Sequence, residues 1–227
     1  MIPAEIEQLW ARYLTAEHVR IRQRSLRALE EFVEALLSLP TAEWHLWARQ
    51  LSHRVVDCGE NIPIRLPLFQ KVLFPALLAG LETSVAGAAR WLSGFTALLY
   101  NSPSCRDCLP QELRTEHGLL FRALGDDPED TRAKKRLRQY MRSSFESALH
   151  ELPAGILYGQ NGASIEECAE LLNDLAMYER LSTEVGSPED RELIVKARYV
   201  IPAYQRYLSE RCRYSDFETF LDSNPGS

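Results

Sequence analysis

Cys105 and Cys108 stand two residues apart, and His117 follows nine residues after the second of them. Two thiolates at this spacing with an imidazole nearby are ligands suited to zinc. A fourth would have to come from Cys58, His53 or elsewhere, and the chain carries no second CxxC. A dithiol redox role would need a βαβ surround, which the flanking residues do not supply. The simpler reading is a pair of loop thiols beside a helix start, and no metal or other cofactor is expected.

His45, Arg49, His53 and Asp57 step by four along the sequence, so on a helix each meets the next on one face. A histidine with a carboxylate one turn away can move a proton. No nucleophile or second acid stands out beside the pair. The expected arrangement is therefore a polar stripe opposite Trp44, Trp47 and Leu51, with His53 paired to Asp57. An enzyme with a helical pocket around His53 and Asp57 is kept as an alternative.

Two basic runs complete the inventory. Arg20, Arg22, Arg24 and Arg27 form one; Arg132, Lys134, Lys135, Arg136, Arg138 and Arg142 form the other, with Lys135, Arg138 and Arg142 on one helix side. Such a stripe suits phosphate. Yet 26 basic against 32 acidic residues leave a net charge of −6, and Asp126 to Asp130 sit just upstream. A solvated face, acidic at the helix start and basic along its body, accounts for the second run.

Other familiar chemistries are missing. None of the five histidines has a glutamate three residues before it, as a carboxylate-bridged di-iron bundle requires. His150-Glu151 is not followed by a histidine at position 154. There is no Gly-x-Ser-x-Gly elbow and no Gly-Lys-Ser/Thr phosphate loop. The glycines at 155, 159 and 162 match neither phosphate-binding fingerprint and read as turn residues. Catalysis is disfavoured on these grounds.

The elements that would position these residues are helical. Ile6, Leu9, Trp10 and Tyr13 make one apolar stripe, and Thr15-Ala-Glu offers a cap for a following helix through Leu26, Leu29 and Leu36. Thr41-Ala-Glu43 opens another that ends near Cys58-Gly59. An apolar helix through Leu68 to Leu81 contains Pro75 and must kink there or begin later. Thr83-Ser84 is the next expected cap, ahead of a helix to Leu99 rich in small residues. Asp127 and Pro128 read as N-cap and first turn of a helix carrying Leu137, Tyr140, Met141 and Phe145. Ser164 and Glu167 form a capping box. Ser187-Pro188-Glu189-Asp190 starts a last long helix with a kink expected at Pro202, and Phe217 to Leu221 a short terminal turn. The best strand, Ile156 to Tyr158, is three residues long.

The expectation is an all-α fold of about nine or ten helices, antiparallel hairpins in a short solenoid-like array or an irregular bundle. It is one domain over 1–227, with a sub-division into 1–101 and 110–227 offered by the loop at 102–109. Five widely spread cysteines, with no cationic start and apolar run at the N-terminus, fit reduced thiols in the cytoplasm. No apolar stretch approaches the roughly 18 to 20 residues of a membrane span.

The segment Leu73 to Leu99 (LFPALLAGLETSVAGAARWLSGFTALL) resembles a HEAT-type helical hairpin. Ala123 to Leu137 (ALGDDPEDTRAKKRL) resembles the junction between tetratricopeptide repeats. The resemblance implies a helical array whose concave face binds another macromolecule. The expected function is thus a non-catalytic protein-binding module, adaptor-like or of the immunity or chaperone kind. Its candidate surface is Trp44, Trp47, Arg49, Lys135, Arg138 and Arg142, residue types enriched at interfaces for the aromatics and arginines. Nucleic acid bound through the basic runs is the alternative partner, and no membrane is expected.

Overall fold

Stripes of apolar residues three and four apart bury themselves by forming helices, and nearly every element of this chain is one. The computed structural model describes residues 2–157, 160–161 and 163–224. Tyr158, Gly159 and Gly162 of the glycine-bearing connection, and Pro225 to Ser227 of the tail, lie outside the described residues. Contacts divide the chain into two units, residues 1–133 and 134–227. The segment 102–109 falls within the first of these, where Ser102, Cys105 and Leu109 are buried.

The first unit opens with α1 (Ala4–Val19) packed on α2 (Arg22–Leu37). Thr15 does not cap a new helix as expected. Its hydroxyl donates to the Ala11 carbonyl at 2.9 Å, satisfied within α1, and the break comes instead at Arg20 with φ 60°. α3 (Thr41–Val56) follows Pro40, so Thr41 is its first turn and not its cap. Trp10, Tyr13, Phe32 and Trp47 knit the three helices, with ring centroids 5.0 to 5.3 Å apart. The Tyr13 hydroxyl donates to the Pro63 carbonyl at 2.7 Å and pins the connection leaving α3.

Pro75 shapes the next element. Short α4 (Leu66–Leu68) runs into a π-helical stretch, Phe69–Leu73, and then α5 (Phe74–Glu82) with the proline in its first turn. Proline offers no N–H and its ring crowds the carbonyl four residues back. Widening the preceding turn, so that Phe74 N–H reaches Phe69 O, accommodates it without ending the rod. Around it lie Leu68, Phe69, Val72, Leu73, Ala76 and Leu77, all wholly buried.

The helix expected from Thr83 to Leu99 is broken. Thr83 bonds back to Ala79, Ser84 takes φ 49°, and α6 (Ala88–Ser93) begins only after Gly87 at φ 87°. It breaks again before α7 (Thr96–Tyr100). The small residues do permit close approach: a Cβ on Gly80 would lie 2.9 Å from the Ala88 Cβ, and one on Gly94 2.5 Å from Val56 Cγ2. Short α8 (Pro103–Arg106) leads to α9 (Glu116–Asp126), capped by Thr115.

The helix start foreseen at Asp127 moves to α10 (Thr131–Glu151). Asp127 accepts from Glu129 N–H in an Asx turn, whereas Asp130 accepts from both Arg132 and Ala133 N–H at 3.0 Å. Satisfying two orphan amides makes Asp130 the working cap.

The second unit holds the remainder of α10 with α11 (Ile165–Val185), α12 (Arg191–Glu210) and α13 (Phe217–Ser223). Among the described residues its strands are two residues each, Ile156–Leu157 paired antiparallel with Gln160–Asn161. The Ser164–Glu167 capping box is present in both directions, at 3.1 and 2.7 Å. Pro202 lies inside an α12 that runs on past it. Tyr204, Tyr207, Phe217 and Phe220 bring α13 onto α12. Fold class is therefore all-α, and no helix of the described residues is long and apolar enough to cross a membrane.

Candidate functional site

α3 ends at Asp57, a carboxylate placed where the helix dipole already presents negative charge. Cations and donors gather to offset it. His53 Nδ1 lies 2.8 Å from Asp57 Oδ2, Trp91 Nε1 donates to the same oxygen at 2.7 Å, and Arg132 Nη1 approaches at 3.4 Å. The Arg90 guanidinium pairs with the other carboxylate oxygen. Arg90 also donates from Nε to Asp130 at 2.7 Å, so one buried guanidinium bridges two carboxylates. The Asp57 side chain is only 2% exposed, and breaking a buried set of this kind leaves an uncompensated charge.

The expected His53–Asp57 pair thus forms, with more attached to it than the spacing foretold. An ionised carboxylate can only accept, so the pairing puts the imidazole proton on Nδ1 and leaves the Nε2 lone pair bare. That lone pair faces Cys58, whose Sγ is 3.7 Å away. Gly59, at φ 68°, turns the chain back over the end of α3. Cys58 N–H bonds to the His53 carbonyl at 3.2 Å, which holds residue 58 at the end of α3 close to residue 53. Spacing alone offers Cys58 as a possible zinc ligand and as the end of the helix, not as a partner of His53. The glycine after the last helical turn was the signal that residue 58 folds back onto residue 53.

Beside this cluster lies an open groove of about 590 Å³ lined by Leu46, Arg49, Gln50, His53, Arg54, Val85 and Trp91. Leu46 is 47% exposed. Arg49 donates to its own helix at the His45 carbonyl, 3.3 Å away. Burial, and then the Arg49 charge, push the His45 imidazole towards its neutral form. Arg54 makes a two-pronged pair with Glu60 at 2.6 to 3.0 Å.

In the second unit Asp190 is the matching centre. It is wholly buried and accepts from Arg138 at 2.6 and 2.8 Å, Arg142 at 3.0 Å and Ser182 Oγ at 2.5 Å. Burial would raise this carboxyl, but the hydrogen bonds from Arg138 and Ser182 and the Arg138 charge prevail and hold it at about 2. Arg138 also pairs with Glu189, and Arg142 with Glu146.

The candidate surface residues are distributed accordingly. Trp44 and Trp47 are half-buried and pack against the core of the first unit, Trp47 on Trp10 and Phe32. Arg49 lines the groove. Arg138 and Arg142 turn to Asp190, while Lys135 is exposed.

Cys105 is buried, and burial raises its thiol. Cys108 donates to the Ser104 carbonyl at 3.1 Å, and the His117 ring lies 4.5 Å from that of Phe121. Among the described residues no group of three or more histidine, cysteine, aspartate or glutamate side chains is placed to hold a metal ion. No family model, curated protein or solved structure matches the chain.

Proposed function

We propose that the chain is a non-catalytic protein-binding module, and that its first unit docks a partner in the groove beside the C-terminal half of α3. The supporting observation is the groove itself, in which Leu46, Val85 and Trp91 share the lining with Arg49. Apolar lining beside an arginine suits a partner segment carrying a large apolar side chain next to an acidic residue. Its helical units are in keeping with the array-like binding surface that the HEAT and tetratricopeptide resemblance implies. All five cysteines are free, in keeping with a reducing, cytoplasmic setting.

Nucleic acid is the less favoured partner. Arg132, Arg138 and Arg142, which would have to meet phosphates, have carboxylate partners within the protein. Releasing Arg138 and Arg142 would strip Asp190 of its counter-charges.

A photo-cross-linking residue at position 46 tests the docking face, with position 37, another exposed leucine, as control. A cross-linked band at 46, competed by unlabelled protein and lost on Arg49→Glu, is the expected result. Equal cross-linking from 46 and 37 would remove the groove from consideration.

A further inference from the structure

We infer that Cys58 is a base-activated thiol, a modification site for small-molecule disulfides, with His53 as its base and Asp57 holding that base in place. The inference stands on the geometry of these three side chains and not on the docking groove.

Three observations converge. Cys58 is exposed, so a dissolved disulfide can reach it. Its Sγ lies 3.7 Å from His53 Nε2, within hydrogen-bond range for sulfur. The far side of the same imidazole is held at 2.8 Å by Asp57, whose own charge is fixed by the Arg90 pair. A nucleophile, a base and a group that orients the base are the parts a reactive thiol requires.

Other groups around the cluster complete its electrostatics. The Arg54 guanidinium is within electrostatic reach of Cys58, and Glu60 is its partner. The Trp91 ring stands edge-on to His53 with centroids 6.2 Å apart, limiting how far the imidazole can swing. Arg132 approaches Asp57 from α10.

The step balances within these groups and one co-reactant. The Cys58 S–H proton passes to His53 Nε2, and the thiolate attacks one sulfur of a small-molecule disulfide. A new S–S bond forms as the old one breaks, and its electron pair leaves with the second sulfur. The departing thiolate takes the proton back from the imidazolium. Cys58 is oxidised, the leaving sulfur is reduced, and no further oxidant is needed.

Cys108, whose thiol donates to the Ser104 carbonyl, and Cys212 are exposed as well and serve as internal controls. The intact protein is treated with oxidised glutathione or dithiodipyridine at neutral pH, and each mixed disulfide is timed by peptide mass spectrometry. Cys58 is expected to react about tenfold or more faster than Cys108 and Cys212. Cys58→Ser abolishes the fast phase, and His53→Gln slows position 58 to the control rate. His53 is half-exposed, and the wild-type comparison needs no variant at all. Equal rates for the three thiols in the native protein, or an unchanged Cys58 rate in a folded His53→Gln variant, would overturn the inference.

Discussion

Trp91 Nε1 donates to Oδ2 of Asp57 at 2.7 Å, so the indole that walls the groove and the imidazole that faces Cys58 share one buried oxygen. Replacing Trp91 with phenylalanine keeps an aromatic wall and removes the donor. A hydrogen bond to a buried charge contributes about 2 kcal/mol, and Trp91→Phe should lower the stability of the first unit by that order in urea denaturation. A change below about 0.5 kcal/mol would mean that the indole packs there without being held.

Acid should loosen the second unit through Asp190. Its carboxyl is at about 2 in the folded protein against an ordinary 3.8. A depressed carboxyl contributes stability that is fully present above its unfolded value and is lost as the pH falls from about 4 to about 2. The difference corresponds to about 2 kcal/mol. Asp190→Asn should flatten that part of the stability profile, measured by thermal unfolding across the acid range. A profile with the same slope in variant and parent would assign the acid sensitivity elsewhere.

Two glycines of α9 should respond oppositely to alanine. A Cβ on Gly118 would sit 1.6 Å from the Glu112 carbonyl oxygen, a backbone atom that cannot step aside, whereas one on Gly125 meets nothing within 4 Å. Gly118→Ala should therefore destabilise by about 1 to 3 kcal/mol or more. Gly125→Ala should be neutral or stabilise by up to about 1 kcal/mol through helix propensity. Denaturant midpoints of the two variants decide it, and equal effects would contradict the close approach of residue 112.

The basic face of α10 should fail to hold DNA or RNA. With Arg138 and Arg142 spent on Asp190, a mobility-shift titration at low salt is expected to show no complex. A salt-sensitive shift that disappears with Lys135→Glu would restore nucleic acid as the partner.

Helical class was legible because residues such as Leu29, Phe32, Val33 and Leu36 recur three and four apart, and all four are buried. The capping box at Ser164 was legible for a similar reason, being wholly local. Thr15 and Asp127 misled because the same side chain can cap a helix or bond within a neighbouring turn, and the competition is settled by residues further along, Arg20 and Asp130. The His53–Asp57 pair was visible at four-residue spacing. Arg90, Trp91 and Arg132, which give that pair its meaning, come from positions thirty and more residues away, where periodicity carries no information. Arg138 and Arg142 looked like an outward stripe because Asp190, 48 residues beyond Arg142, could not be matched to them from spacing alone.

The reactive thiol depends on Asp57 orienting His53. Nitrogen NMR of histidine-labelled protein, above the titration of the imidazole, reports which ring nitrogen carries the proton. A proton on Nδ1 of His53 with Nε2 bare is the predicted result, reverting to a tautomer mixture in a folded Asp57→Asn variant. A native His53 protonated at Nε2 would contradict the account, because the imidazole could then neither be held by Asp57 as described nor accept a proton from Cys58.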